Sequence, residues 1–460
     1  MQPITRTTRR AAAILAAILA LAVNSFAAAI NLSPAPAQTP GNDPFSAMRR
    51  SSSWKIALAP HSGSGKLDEQ IVKAQQAARA ATDPCTQLER LGWLFVAKAR
   101  ASHDPGFYKL AEHCALALQA HHVKSPETLL LRGHVAQSLH HFEEAEAIGR
   151  QLVAQREFAF DHGLLGDALA DQGKLSEAII EYQRMVDLRP DLQSYSRVAH
   201  MRWLKGDLAG AIEAAELAVR AASPLDAESA AWAFTRLAAF QSQAGVNTKT
   251  EAACDAAREF VPDYPPALLL RGRMTSAAGK SAEAVELLRR AATKNPLPEY
   301  QWAFADALRA ANRAGEAVTV EAELKRTGAA NDPRTFALFL ATRGEQTDVT
   351  LRLATRELQD RADIFTHDAI AWAQSTAGRH ANAWKSMERA LAEGTQDARL
   401  FLHAGVIATR LGRDDAAAWL TRARGLEHLL LPSEREHLDR AAKLLTKAPA
   451  PTASPRADVR

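Results

Sequence analysis

A run of histidines comes closest to a chemical site in this sequence. Seven of its fifteen histidines fall within 39 residues: His103, His113, His121, His122, His134, His140 and His141. Zinc takes imidazole ligands, but His140 falls at a predicted turn, and no two histidines have the four-residue spacing that places both on one helix face. We interpret them as surface histidines at helix edges, and predict no metal site. The alternative is a metal- or small-ligand-binding protein that uses this His-rich segment.

A glycine-rich stretch, Gly63-Ser64-Gly65-Lys66, suggests a phosphate-binding loop. The full motif requires a glycine where Pro60 stands, and a serine or threonine where Leu67 stands. The sequence also lacks the HExxH, paired CxxC and Gly-x-Ser-x-Gly patterns of metalloproteases, zinc sites and hydrolases. We therefore predict no enzyme, no catalytic residues and no cofactor.

The N-terminus has the layout of an export signal. Arg6, Arg9 and Arg10 precede an uncharged Ala/Leu/Ile run over residues 11–23, which is short for a membrane span, and small residues offer cleavage after Ala27 or Ala29. We predict a signal peptide over residues 1–29 and an exported, periplasmic protein. The alternative is an uncleaved anchor that holds a self-associating structural subunit at the inner membrane.

Charge and cysteine content exclude two further classes. Cleavage of the signal removes three arginines and no acid, which lowers the formal charge of +4 to about +1. Without a basic stripe, the mature chain is not expected to bind nucleic acid. Three cysteines in 460 residues do not make a disulfide scaffold, although a pairing of Cys85 with Cys114 stays open.

The elements that must position any site are read most clearly from residues 160–192. Leu164, Leu165, Ala168 and Leu169 have helical spacing. Gly173 then predicts a turn, and Ala178-Ile179-Ile180 begins a second amphipathic helix. The stretch therefore predicts two short helices joined by a tight turn.

This pattern recurs about every 34 residues, as in helical solenoids. Small residues twelve apart allow two helices to cross closely; a turn residue follows the first of them by seven positions, and prolines end some second helices. The positions with these structural roles are Gly133, Ala145, Gly166, Gly173, Ala178, Pro190, Gly206, Gly272, Gly279, Ala284, Pro296, Gly378, Ala383, Gly405 and Gly412. His140 and Asn312 replace the turn glycine in two units. The repeat resembles the tetratricopeptide repeat family in its exported bacterial form.

The resemblance implies an all-α, right-handed superhelical solenoid of antiparallel hairpins, with about ten units. We assign residues 1–29 to the signal, 30–66 to a disordered or irregular linker, and 67–430 to the repeat array. A capping-box pattern at Ser433 and Glu436 predicts a capping helix over residues 431–446, followed by a disordered tail over 447–460.

In this family the first helix of each unit lines a concave groove that binds other polypeptides. Transferred to this sequence, the resemblance assigns the following residues to a partner groove: Trp93, Gln137, Asp167, Asp171, His200, Trp203, Trp232, Arg273, Trp302, Asp306, Arg309, Arg334, Asp368 and Trp372. Aromatic and arginine side chains are frequent interface anchors. The charged members change from acidic to basic along the chain, which predicts an electrostatically oriented peptide.

The sequence therefore predicts an exported, non-enzymatic scaffold that binds a protein or an extended peptide in this groove. It predicts no membrane span in the mature chain and leaves the oligomeric state open.

Overall fold

The computed structural model describes residues 43–121 and 125–447, and all regular secondary structure within these ranges is helical. The first twelve helices are α1 (Ser46–Arg50), α2 (Ser52–Ala57), α3 (Lys66–Ala80), α4 (Cys85–Ser102), α5 (Gly106–Ala120), α6 (Pro126–Ser138), α7 (Phe142–Arg156), α8 (Ala159–Asp171), α9 (Leu175–Leu188), α10 (Leu192–Leu204), α11 (Leu208–Arg220) and α12 (Ala227–Gln243). The other twelve are α13 (Asn247–Phe260), α14 (Pro265–Ala277), α15 (Ser281–Lys294), α16 (Pro298–Ala310), α17 (Ala314–Asn331), α18 (Pro333–Arg343), α19 (Thr347–Asp360), α20 (Ile364–Thr376), α21 (His380–Leu391), α22 (Ala398–Leu411), α23 (Ala416–Gly425) and α24 (Pro432–Lys447).

From α4 to α23 the helices pack as consecutive hairpins, each made of an even-numbered first helix and the odd-numbered helix that follows it. Because a turn of a few residues joins the two helices, they run antiparallel. First helices of neighbouring hairpins also contact each other, with α10 joined to α8 by the Arg197–Asp167 ion pair, so the first helices form a continuous row. The predicted fold class, an all-α solenoid of antiparallel hairpins, is confirmed.

Small residues allow the helices of a hairpin to approach each other. A Cβ atom on Gly166 would lie 2.5 Å from the ring of Tyr182, on the partner helix. Gly272 and Gly405 meet Leu288 and Leu420 of their partner helices in the same way, and Gly133 meets Ile148 of its partner helix as well as Leu164 of the next hairpin. Ala145, Ala178, Ala284 and Ala383 are completely buried. The twelve-residue spacing therefore marks the crossing point of the hairpin.

The turns within the hairpins require a left-handed residue. Gly173, Gly206, Gly279, Gly378 and Gly412 have φ between +66° and +80°, a region that glycine adopts readily. His140 and Asn312, which replace the glycine in two units, have φ of 66° and 60°. The turn geometry is thus kept where the residue type changes, and Pro190 and Pro296 follow the ends of α9 and α15.

The N-terminal part of the described chain differs from the predicted linker. Helices α1 and α2 lie within residues 30–66, and Trp54 and Ala57 of α2 are buried. Helix α2 packs against α5, where Ser53 Oγ lies 3.4 Å from His113 Nδ1. The apolar residues of this short segment are too few to show a helical period in the sequence. The predicted signal peptide, residues 1–29, lies outside the described residues. So does the predicted tail, residues 447–460, except for Lys447, which ends α24.

None of the helices in residues 43–121 and 125–447 has the combination of length and apolarity that a bilayer crossing requires. The three cysteines are free thiols; Cys85 is half-buried, and Cys114 and Cys254 are buried.

Candidate functional site

The residues assigned to the partner groove all lie on the row of first helices, α4 to α20. We call the side formed by this row the inner wall. Neighbouring first helices are joined there by side-chain contacts, such as the Trp93 and His134 rings, whose centroids are 5.3 Å apart. The positions that the resemblance assigned to the groove therefore lie on one side of the array.

The inner wall of the later units is covered by the chain's own C-terminal segment. Helix α24 packs not only on α22 and α23, as a terminal cap would, but also on α16 and α18. The Trp302 indole donates to Ser433 Oγ at 3.2 Å, and the His437 ring meets the edge of Trp372, with 5.1 Å between centroids. A structural element thus occupies the place expected for a partner.

Four of the assigned groove residues are consequently closed off. Trp302 is 0% exposed, Trp372 1%, and both Asp306 and Asp368 2%. The expectation that they face an open groove is wrong. Helix α24 contacts Trp302, Asp306 and Trp372, and Asp368 is paired with His403 of α22. Their roles are in core packing and buried polar bonding.

A second closure joins units that are far apart in the chain. The carbonyl oxygen of Ala362 would lie 2.5 Å from a Cβ atom on Gly173, and that of Gly394 would lie 2.7 Å from one on Gly206. The Trp203 ring stacks on Phe365, with 5.8 Å between centroids. Glycine is therefore needed at these two turns for a second reason besides the positive φ. A side chain there would clash with a later part of the array, which packs directly against both turns.

Charged residues assigned to the groove hold one another rather than a free surface. The pairs are Asp167 with Arg197, Asp171 with Arg361, Arg273 with Glu299, Asp306 with Arg343, Arg309 with Glu321, and Arg334 with Asp363. In each pair, the assigned residue is neutralised by an oppositely charged residue that the resemblance did not assign to the groove. The predicted change from acidic to basic charge along the groove is therefore wrong, because every assigned charge in these pairs is cancelled by an opposite charge next to it.

A carboxylate and imidazole pair is sealed inside the later units. Asp368 Oδ1 lies 2.8 Å from His403 Nδ1, and the His403 ring stacks on Trp372, with 4.2 Å between centroids. In an open site such a pair would act as a base. Here the His403 side chain is 1% exposed and that of Asp368 is 3% exposed, so no substrate reaches them.

The glycine-rich loop before α3 is filled by the chain itself. Gly65 N–H donates to Asp68 Oδ2 at 3.0 Å, while Asp68 Oδ1 contacts His61 and Lys98, both at 2.7 Å. These bonds hold the pKa of Asp68 well below its usual range. The carboxylate thus takes the donors that a phosphate would need.

The described histidines of the His-rich segment do not converge. His103 and His121 end α4 and α5, His113 lies on α5, His134 on α6, and His140 and His141 in the following turn; His122 lies outside the described residues. Burial lowers the pKa of His134 to about 4. No group of three potential metal ligands occurs within residues 43–121 and 125–447.

Two of the cavities in the described part of the chain are each lined by several of the residues assigned to the groove. One of about 610 Å³ lies at the second closure and is lined by Asp167, Asp171, His200, Arg334 and Arg361, among others. The other, of about 410 Å³, is lined by Trp203, Trp232, Arg236, Gln243 and Tyr300, together with residues near α22 and α24. Both volumes fall within the range of small-molecule sites.

Asp171 makes the first cavity pH-sensitive. Its carboxylate accepts from Gln137 at 2.7 Å and lies 3.1 Å from Arg361, yet burial raises its pKa to about 6. A raised acid pKa contributes stability that is complete below the unfolded value near 4 and is lost as the pH rises through about 6.

We therefore expect the parent protein to lose about 1 to 3 kcal/mol of stability between pH 4 and 7 through this one group. Asp171→Asn should remove that part of the pH dependence. Urea unfolding midpoints at pH 4.5 and 7.5 measure it, with Asp255→Asn, an exposed carboxylate on α13, as the control. A pH dependence in Asp171→Asn equal to that of the parent would contradict the assignment.

No family model matches the sequence, and no curated protein matches it. Among solved structures, Pseudomonas aeruginosa PilF has a TM-score of 0.38 and 12% identity, over 47% of this chain and 96% of that one. Yeast Tom70 has a TM-score of 0.37 and 14% identity, over 83% and 92% of the two chains. IFIT1 with m7Gppp-AAAA has a TM-score of 0.44 and 14% identity, over 78% and 85%.

These values are too low to carry an assignment of function, and the fold rests on the hairpins themselves. The chain is an all-α helical repeat array of antiparallel hairpins. Its first helices, turn residues and crossing points follow the repeat, whereas its covered inner wall does not follow the expected open groove.

Proposed function

We propose that the protein is an exported, non-enzymatic scaffold that binds segments of other proteins at the open part of its inner wall. One observation carries the proposal: Trp93 on α4 and Trp232 on α12 remain 37% and 38% exposed, whereas Trp302 and Trp372 are closed off. Exposed tryptophans on a rigid helix are favourable anchors, because they bury a large area with little loss of side-chain entropy.

The N-terminal sequence supports export, and fractionation followed by N-terminal sequencing of the mature protein tests it. We expect a soluble periplasmic protein that begins at residue 28 or 30. Retention of the intact N-terminus in the membrane would favour the anchored alternative.

Photo-crosslinking in the native cell tests the binding surface. A photoreactive phenylalanine placed at Trp93 or Trp232 should give discrete protein adducts that mass spectrometry identifies. The same residue at Leu225, which is 99% exposed in the connection between α11 and α12, is the matched control. Equal adducts at position 225, or none at 93 and 232, would overturn the proposal.

The identified partner then permits a quantitative prediction. The double variant Trp93→Ala and Trp232→Ala should bind it at least about tenfold more weakly, because interface tryptophans often contribute 2 kcal/mol or more. Its unfolding midpoint should stay close to that of the parent, since both rings are partly exposed. Calorimetric titration and urea unfolding measure the two effects, and unchanged affinity would contradict the anchor assignment.

A further inference from the structure

Arg236 of α12 differs from the other arginines around the inner wall. Seven of those hold carboxylates: Arg197, Arg273, Arg309, Arg334, Arg343, Arg361 and Arg399. In the described parts of the chain, the Arg236 guanidinium instead lies 3.3 Å from His200 Nδ1 and 5.0 Å from the centre of the Phe240 ring. It makes no ion pair there.

The charge of Arg236 is also not balanced by its histidine neighbour. Burial, with Arg236 itself contributing, lowers the pKa of His200 to about 3, so this imidazole is neutral. Burial alone lowers the pKa of Arg236. Arg236 is half-buried on the wall of a cavity. Removing a charge even partly from water without a counter-charge costs free energy, and proteins often retain such a cost at binding sites.

Two buried donors lie on the same helix and line the same cavity of about 410 Å³. Ser242 is 0% exposed and Gln243 is 9% exposed, yet Ser242 Oγ and Gln243 Nε2 have no hydrogen-bond partner among the described residues. The Trp203 indole donates to Gln243 Oε1 at 2.6 Å, which leaves the Gln243 amide nitrogen unused. Unsatisfied buried donors are rare in native proteins.

The acidic residues across the cavity are already engaged. Glu299 pairs with Arg273, and Glu434 pairs with Arg399. Asp397 accepts from the backbone N–H groups of Arg399 and Leu400 at the start of α22. The groups left available in the cavity are therefore a cation and two donors.

The remaining walls are apolar and aromatic. Trp232, Arg236 and Gln243 follow one face of α12, at spacings of four and seven residues. Trp203 and Tyr300 line the cavity from α10 and α16, and Leu429 and Leu430 line it from the segment before α24. An occupant is thus met by aromatic rings as well as by the polar groups.

We propose that this cavity binds an organic carboxylate joined to a flat or apolar group, with Arg236 as the counter-charge and Ser242 and Gln243 as donors. The source of the carboxylate is either a free small acid or an acidic side chain within a bound protein segment. The site goes beyond the proposed scaffold function, because a free acid needs no protein partner.

Calorimetric titration of the full-length protein with 3-phenylpropionate and with the matched neutral 3-phenylpropionamide tests the charge requirement. We expect saturable binding of the acid and at least tenfold weaker binding of the amide. Arg236→Gln should weaken binding of the acid at least tenfold, whereas Arg289→Gln, on the exposed face of α15, should not. Absence of saturable acid binding, equal binding of the amide, or unchanged binding by Arg236→Gln would overturn the proposal.

A ligand-free measurement separates binding from packing. If Arg236 serves a ligand, Arg236→Gln should have an unfolding temperature equal to or above that of the parent. A lower unfolding temperature, by more than about 2 °C, would show a structural role and overturn the proposal.

Two capped peptides, acetyl-Phe-Glu-Phe-amide and acetyl-Phe-Gln-Phe-amide, identify the source of the carboxylate. Tighter binding of the glutamate peptide than of 3-phenylpropionate, lost in Arg236→Gln, assigns the site to an acidic residue of a protein segment. Tighter binding of the small acid assigns it to free metabolite-sized acids. Failure of these titrations leaves the crosslinking result at Trp93 unaffected, so the two proposals fail separately.

Discussion

Replacing Trp302 by alanine should lower the free energy of unfolding by about 3 to 5 kcal/mol, as for other buried large-to-small changes. The indole is 0% exposed, meets the Phe339 ring edge-on, and donates to Ser433 Oγ at 3.2 Å. The Arg399 guanidinium lies 5.3 Å from the ring centre. The substitution therefore opens a cavity and detaches α24 from α16.

Urea unfolding followed by helical circular dichroism measures this loss, with Trp232→Ala as the control. Trp232 is also a tryptophan of the inner wall, but it is 38% exposed, so its removal should move the midpoint little. An open groove would give similar, small effects for both variants. Equal midpoints would therefore contradict the internal position of α24.

The local features of the array could be predicted from the sequence, because short-range physics fixes them. Gly166 contacts Tyr182 within a single hairpin, whose two helices are joined by one turn. The repeat period of the sequence is therefore enough to predict this contact. The left-handed turn at Gly173 depends on its own backbone. Such features repeat with the units, so each copy supports the others.

The closures were not predictable in this way, because they join residues far apart in the chain and occur once. Lys205 pairs with Glu393, 188 residues later, and Asp306 binds Ser433, 127 residues later. A small change in the angle between units decides whether such residues meet, and nothing in a single unit encodes it. The groove assignment failed where these closures occur.

Arg236 was missed for a different reason. The resemblance assigns groove residues by their distance in sequence from the small residue of each first helix. Arg236 lies two residues before Ala238, which is not one of the assigned distances. The spacing of Trp232, Arg236 and Gln243 along one helix face was a signal that could have found it. Its lack of a carboxylate partner became visible only with the fold.

Replacing Asp306 by alanine should also cost about 3 to 5 kcal/mol, because it leaves buried partners behind. Asp306 Oδ1 lies 2.6 Å from Arg343 Nη2, while Oδ2 accepts from Ser433 N–H at 2.9 Å and from Ser433 Oγ at 2.6 Å. The substitution thus removes one of the two carboxylates that hold the Arg343 guanidinium, and it removes the acceptor of the first turn of α24.

Urea unfolding of Asp306→Ala beside Glu316→Ala measures the effect of burial. Glu316 also pairs with an arginine, Arg313, but at the exposed start of α17, and exposed pairs of this kind contribute little. We expect no measurable change for Glu316→Ala. Similar losses in the two variants would contradict the buried network.

A double variant separates the net contribution of the Asp306–Arg343 pair to stability from the cost of leaving one of its charges unpaired. Arg343 also contacts Glu321 at 2.8 Å, but Glu321 keeps Arg309 at 2.7 Å if Arg343 is removed. Asp306→Asn combined with Arg343→Met should therefore lose less stability than Asp306→Ala alone, because no uncompensated charge remains buried. The amide oxygen of the asparagine can still accept from Ser433 N–H, which keeps α24 in place. A double variant less stable than Asp306→Ala would show that the charge itself, rather than its pairing, holds the inner wall closed.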